Sequence, residues 1–214
     1  MIDEKTKFPN AIISENDSVL NEIHKKSKNI AIRKRNISAI KQEIGLVVSQ
    51  EIEYRTSGSK KEIIDSLSSY FTETLNSSRH VLEDIVHLLH QYEHLTAATS
   101  FRLSFAKVNT NMCRRFHTDI NTLRMLCTYY GPGTLWLPNQ AINMKAYHSG
   151  DNNSEIVTDE SMIQQADTGD IVILKGALYP DANPILHRSP TIEENRENRL
   201  LLRIDATDSL NFWS

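Results

Sequence analysis

Between about residues 18 and 98 the apolar positions recur mostly at the three-to-four-residue interval of an amphipathic helix. SVLNEIHKK predicts a short helix, NIAIRKR alternates as a strand does, and ISAIKQEIGLVVSQ returns to helical spacing. Thr56-Ser57-Gly58 marks a break, and Ser59 with Glu62 then forms a capping box at the head of the helix KKEIIDSLSSYFTETL. A second break at Asn76-Ser77-Ser78 precedes the long helix RHVLEDIVHLLHQYEHLT. From residue 101 the period shortens. FRLSFAKV, MCRRFHTD, LRMLCTYY, TLWLP, INMKAY, DIVILKG, ILHRSP and RLLLRID read as short strands parted by Asn, Gly, Pro and Asp clusters. About eight such strands in roughly 110 residues is the strand number of a double-sheet jelly roll. HSGDNNSEIVTDES reads as an exposed, flexible insertion. The expected architecture is α+β, a double-stranded β-helix (jelly-roll, cupin-like) barrel with a helical N-terminal region packed on it. Its expected parts are a flexible N-terminus over 1–17, a mainly helical region over 18–98, and the barrel over 99–214.

Composition alters this picture little. The apolar set makes up 39% of the 214 residues and the charged set 24%, as in an ordinary globular chain. The formal net charge of -3 gives no global attraction to nucleic acid, and no stretch is long and apolar enough to span a bilayer. MIDEKTKFPNAIISEN carries early acids and no secretory apolar core, which points to a cytoplasmic protein. The crowd of Lys25, Lys26, Lys28, Arg33, Lys34 and Arg35 has no interleaved aromatics and reads as a solvated face. Gly131 to Thr134 (GPGT) lacks the lysine and helix of a phosphate loop and reads as a turn aiming Trp136 inward. Cys113 and Cys127 cannot make a disulfide framework and are expected to be reduced strand residues.

Candidate chemistry centres on His117-Thr118-Asp119. On a strand, positions i and i+2 share a face, so this imidazole and carboxylate can converge on one ion. His187 follows 68 residues after Asp119. Two histidines and one carboxylate hold a divalent ion while leaving adjacent positions open, the facial triad of non-haem iron(II) oxygenases. Gly169-Asp170 supplies a turn into the strand before His187, and Arg199 lies 12 residues beyond it. A guanidinium there suits the distal carboxylate of a 2-oxo acid. Arg203 shares its strand face by alternation, while Arg199 could instead pair with Asp205. The opposing interpretation makes His117 and Asp119 a surface hydrogen-bonded pair. On the long helix, His80, His87, His90 and His94 share a polar stripe; His90 and His94 have metal-ligand spacing, yet a solvated face explains the stripe more simply.

The run CRRFHTDINTLRMLCTYYGPGTLWLP, followed by GDIVILKG, LHRSP and RLLLRID, resembles the bacterial DUF1826 family, and NIAIRKR resembles that family's N-terminal strand. Members of the family resemble 2-oxoglutarate/iron(II) oxygenases, and some are encoded near zinc-homeostasis genes. The resemblance supports His117, Asp119 and His187 as the matched motif positions and leaves the reaction open; the residues themselves make Fe(II) the expected metal and 2-oxoglutarate the expected co-substrate, its distal carboxylate held by Arg199, with Arg203 and Arg115 as alternates. Such oxygenases commonly carry a tyrosine just before HxD, where this chain has Cys113, Arg114 and Arg115. Arg115 shares the His117 face by alternation, and Tyr129 or Tyr130 could supply the hydroxyl. Arg115 and Lys175, facing inward, would favour an acidic substrate. The expected activity is oxidation of a small molecule or a protein side chain; the rival is a non-redox zinc-binding protein of cupin-like fold in metal homeostasis.

Overall fold

The computed structural model describes residues 8–75, 78–181 and 183–207. Its first half contains β1 (Ala11–Ser14), β2 (Ile30–Arg33), α1 (Lys41–Val48), β3 (Glu53–Gly58), α2 (Lys60–Thr74) and α3 (Arg79–Thr96). Then come β4 (Phe101–Val108), β5 (Leu123–Tyr130), β6 (Leu135–Trp136), α4 (Met144–Ser149) and α5 (Asn153–Ile156). The chain closes with β7 (Gln164–Gln165), β8 (Ile171–Lys175), β9 (His187–Arg188) and β10 (Arg199–Ala206). This is a mixed α+β fold with a seven-stranded sheet ordered β1-β2-β8-β5-β10-β4-β3 and a three-stranded sheet ordered β7-β6-β9. No helix among the described residues is long and apolar enough to cross a membrane.

Strand alternation decides what each face of the large sheet meets. Leu103 and Phe105 of β4, Met125 and Cys127 of β5, and Leu202 and Ile204 of β10 turn to one face and pack with Ile63 and Leu67 of α2 and Ile85 and Leu89 of α3. Leu126, Val172 and Leu174 turn the other way and meet Trp136 of the small sheet in a second core. A third core, around Phe116, Leu137, Ile156 and Leu186, backs the small sheet. The helix face also buries a polar cluster. Arg35 donates to both oxygens of Asp84 at 2.6 and 2.9 Å, and the Tyr129 hydroxyl donates to the same carboxylate at 2.5 Å.

Several segments depart from their sequence expectations for local reasons. SVLNEIHKK forms a 3-10 helix over Asp17–His24, and Thr56-Ser57-Gly58 ends β3 instead of breaking the chain. The capping box is present, with Ser59 and Glu62 bonded reciprocally at the head of α2. MCRRFHTD shrinks to one bridge, His117 opposite His187, because the Asn153 side chain takes up the Arg114 carbonyl and the Phe116 N–H. INMKAY is not a strand: the Asn143 side chain accepts from Ala146 N–H and starts α4. Nor is HSGDNNSEIVTDES a loose insertion, since Asn152 caps α5 and Ile156 is fully buried. The segment before residue 98 supplies β1, β2 and β3 to the large sheet as well as its helices. Of the expected flexible N-terminus, residues 1–7 lie outside the described residues, whereas Ala11–Ser14 pair in parallel with β2. Asn76 and Ser77 also lie outside them.

Candidate metal centre

His117 and His187 face each other across reciprocal backbone hydrogen bonds, each N–H donating to the other's carbonyl at 3.0 Å. Cross-strand partners point to one side of a sheet, so both imidazoles turn toward the large sheet, with ring centroids 4.6 Å apart. Asp119 follows His117 by two residues and closes the group: Oδ1 lies 3.7 Å from His117 Nε2 and Oδ2 lies 3.3 Å from His187 Nε2. The three ligand atoms fall within 4.8 Å of one another, the one such group of three or more His, Cys, Asp or Glu among the described residues. His117 Nδ1 is 3.0 Å from the Arg115 carbonyl and His187 Nδ1 is 3.4 Å from that of Ile185. A carbonyl can only accept, so each Nδ1 carries the proton and each Nε2 lone pair is left to the centre.

Burial and the neighbouring His187 push the His117 pKa below its usual value, which keeps the ring neutral. Burial alone would raise Asp119, but the charge of Arg124 beside it holds its carboxyl below the usual range. Arg124, from β5, reaches Asp119 Oδ2 with Nη1 at 2.5 Å and grips Asp205 with Nε at 2.7 Å and Nη2 at 3.1 Å. Asp119 Oδ2 has no donor aligned for a hydrogen bond despite these close contacts. A buried carboxylate oxygen aimed beside two imidazole lone pairs fits a hard divalent cation. Sequence reading missed Arg124. Its signal is the register that sets it opposite Asp205 across β5 and β10, a pairing invisible until the strands are aligned.

Arg199 is 3% exposed, and among the described residues its guanidinium donates to hydroxyls alone: Thr128 Oγ1 at 2.8 and 3.2 Å and Thr134 Oγ1 at 2.6 Å. Among the described residues it makes no ion pair, and burial lowers its pKa to about 10. Thr134 stands two residues before Trp136, whose cross-strand partner is His187. Arg199 shares its strand face with Leu201, which packs against the core between the two sheets. Trp136 Nε1 is buried and has no acceptor among the described residues. Only glycine allows this packing: a Cβ on Gly131 would stand 2.2 Å from the Asn198 carbonyl, just before Arg199.

The other candidates separate. Arg203 shares the Arg199 face but reaches only Asp205, at 3.5 Å. Arg115 turns outward, donating to the carbonyls of Tyr147 and Asp151 and stacking over the Tyr147 ring. Tyr129 is committed to Asp84 on the helix face, and Tyr130 is 46% exposed at the strand end. Lys175 also turns away from the triad, donating to the Lys25 carbonyl over the Tyr179 ring. Arg115 and Lys175 therefore do not line the space between the sheets. His80, His87, His90 and His94 are exposed and form no three-ligand group among the described residues; His80 pairs with Glu43. Cys113 is exposed and Cys127 buried, both as free thiols.

Residues 14–205 match the family model described as "Protein of unknown function (DUF1826)". No curated protein matches the chain. Among solved structures, dioxygenase for auxin oxidation 1 from Arabidopsis thaliana, in its 2-oxoglutarate complex, superposes with a TM-score of 0.50 at 10% identity over 92% of this chain and 91% of that one. A Pseudomonas putida prolyl-4-hydroxylase gives a TM-score of 0.45 at 8% identity over 88% and 97% of the two chains. The first likeness is one of fold, shared with a 2-oxoglutarate-binding dioxygenase.

Proposed function

The chain belongs to the DUF1826 family, and we propose that it is a non-haem Fe(II)/2-oxoglutarate-dependent oxygenase of double-stranded β-helix fold. One observation carries the reading: a prearranged His117, Asp119, His187 group shares an interior with Arg199, a buried cation that has no counter-charge among the described residues. An unpaired guanidinium in such a place is costly unless an anion completes it. A five-carbon 2-oxo diacid supplies both the chelating end for the metal and the distal carboxylate for Arg199. The β-helix reading draws support from the strand order. β4, β10, β5 and β8 run side by side in the large sheet, while the His117 bridge joins β9, β6 and β7 in the small one.

In this reading His117 and His187 bind the metal through Nε2 and Asp119 through its carboxylate, while Arg124 keeps that carboxylate oriented. The iron, when bound, couples oxidative decarboxylation of the 2-oxo acid by dioxygen to oxidation of a substrate. The protein's residues do the rest. Arg199, with Thr128 and Thr134, would hold the distal carboxylate of the 2-oxo acid. Leu126, Val172, Leu174 and Trp136 exclude water from the space between the sheets. A zinc-binding role would use the same three ligands but gives Arg199 no task.

Anaerobic titration of the metal-free protein with Fe(II) and then 2-oxoglutarate tests the proposal. The expected result is the weak visible charge-transfer band of the chelate, absent in His187→Ala and reached only at higher 2-oxoglutarate in Arg199→Met. Tight zinc binding by the same residues with no band would replace the oxygenase by the metal-homeostasis reading.

A further inference from the structure

The face of the large sheet that carries Arg124 continues onto β4 and β3, where Arg203, Arg102 and Arg55 gather beside the acids Asp205 and Glu53. Register places Ser104 of β4 between Arg203 of β10 and Arg55 of β3, and in the next rung Arg102 of β4 between Asp205 and Ser57. Arg102 precedes Ser104 by two residues and so shares its face. Three guanidinium-bearing side chains thus stand around one hydroxyl on neighbouring strands, where directly opposed Cβ atoms are about 5 Å apart.

The nearby acids leave these cations available. Asp205 is engaged by Arg124 on both oxygens and by the Asn121 amide at 3.0 Å, and Arg203 approaches it no closer than 3.5 Å. Arg55 pairs with Glu53 at 2.9 Å, but with 67% and 73% of the two side chains exposed that bond is worth little. Arg102 is exposed and makes no ion pair among the described residues. Unlike Arg199, which is sealed between the sheets, Arg203 is 33% exposed and can meet a ligand from solvent. Like charges gathered on an open face repel one another unless an anion lies over them.

We propose that this face binds the phosphate group of a phosphate-ester substrate and presents the rest of that molecule to the metal centre, with Arg203, Arg102 and Arg55 as cations and Ser104 as hydroxyl donor. The substrate class rests on the oxygenase reading; the anion site does not. A phosphate dianion offers three oxygens in a tetrahedral array, which matches three forks arranged around a hydroxyl better than a planar carboxylate does. Contact runs from Arg203 through Asp205 and Arg124 to Asp119, so the site adjoins the triad.

Calorimetric titration of the full chain, metal-free and in chloride buffer, with inorganic phosphate tests the assignment. One-to-one binding is expected, weakened at least about tenfold in Arg203→Gln and Arg102→Gln and about threefold in Arg55→Gln. Arg199→Met and His187→Ala should bind phosphate as the parent does. Arg55 and Arg102 are surface residues, so their variants keep the test decisive should Arg203→Gln fold poorly. No phosphate binding, binding lost in Arg199→Met in place of Arg203→Gln, or equal affinity for succinate would overturn the proposal. A missing iron chelate band with phosphate binding retained counts against the oxygenase reading alone; the reverse counts against the phosphate site alone.

Discussion

Two arginines buried on opposite faces of the same sheet show how differently this molecule treats internal charge. On the helix face, Arg35 is 12% exposed, with its fork closed on Asp84 and that carboxylate closed again by Tyr129. Burial alone would weaken its hold on the proton, yet Asp84 more than reverses this. On the triad face, Arg199 is more deeply buried and meets two hydroxyls and, among the described residues, no acid, so burial prevails and its pKa falls. A polar group completed inside the fold fixes structure; a buried polar group left incomplete awaits something from outside. Trp136 Nε1, buried with no acceptor among the described residues, lies on the same side.

The largest effect belongs to the completed side. Asp84→Ala strands Arg35 without a counter-charge and should cost about 3–5 kcal/mol of stability, read as a lower urea midpoint. The folded fraction should still form the iron chelate band, since Asp84 lies on the other side of the sheet. On the incomplete side, Asp119→Ala removes one of three ligands. Iron affinity should fall at least about a hundredfold, beyond the ten- to hundredfold loss typical of an outer-shell partner. Direct iron titration checks this, and an unchanged affinity would remove the triad as the site.

The contrast also explains what was legible in the sequence. His117 and Asp119 were visible because two ligands on one strand face need only a spacing of two, and Arg199 stood out by its distance from His187. β4 was legible by its alternation, and β5, β8 and β10 as short apolar runs bounded by Asn, Gly, Pro and Asp clusters. The pattern failed where side chains substitute for backbone pairing. Asn153 satisfies the main chain around Arg114 and Phe116, so MCRRFHTD never becomes a strand, and Arg115 leaves the His117 face for Tyr147. Asn143 and Asn152 turn the expected strand and loop into capped helices. Lys175 was recoverable: in IVILK it shares the parity of Ile171 and Ile173, which face the helices. Arg124 was not, because its meaning depends on a register between distant segments.

Arg199→Met sharpens the comparison in the opposite direction from Asp84→Ala. It replaces a buried cation that has no acid partner among the described residues by an apolar side chain of similar reach, so the metal-free protein should gain about 1–3 kcal/mol. In the same variant, 2-oxoglutarate affinity should fall about ten- to hundredfold, by loss of a charge-assisted bidentate contact. A thermal melt and a chelate-band titration on one preparation measure both. Destabilisation with unchanged co-substrate affinity would make Arg199 a structural residue and end the contrast with Arg35.

The smallest effect is read from the thiols. Cys127 is 1% exposed on the completed face, within 3.2 Å of Arg35 Nη2, and burial raises its pKa to about 11 although Arg35 pulls the other way. Alkylation requires the thiolate and access. At pH 8 the native protein should therefore react at the exposed Cys113 alone, with Cys127 becoming reactive only on unfolding. Asp84→Ala should loosen this protection if the Arg35 cluster is what seals the helix face, and Arg199→Met should leave it intact. Mass spectrometry after brief alkylation counts the labels. Two labels on the native parent protein would mean that the helix face opens readily, and its completed polar cluster would then no longer mark the rigid side of the sheet.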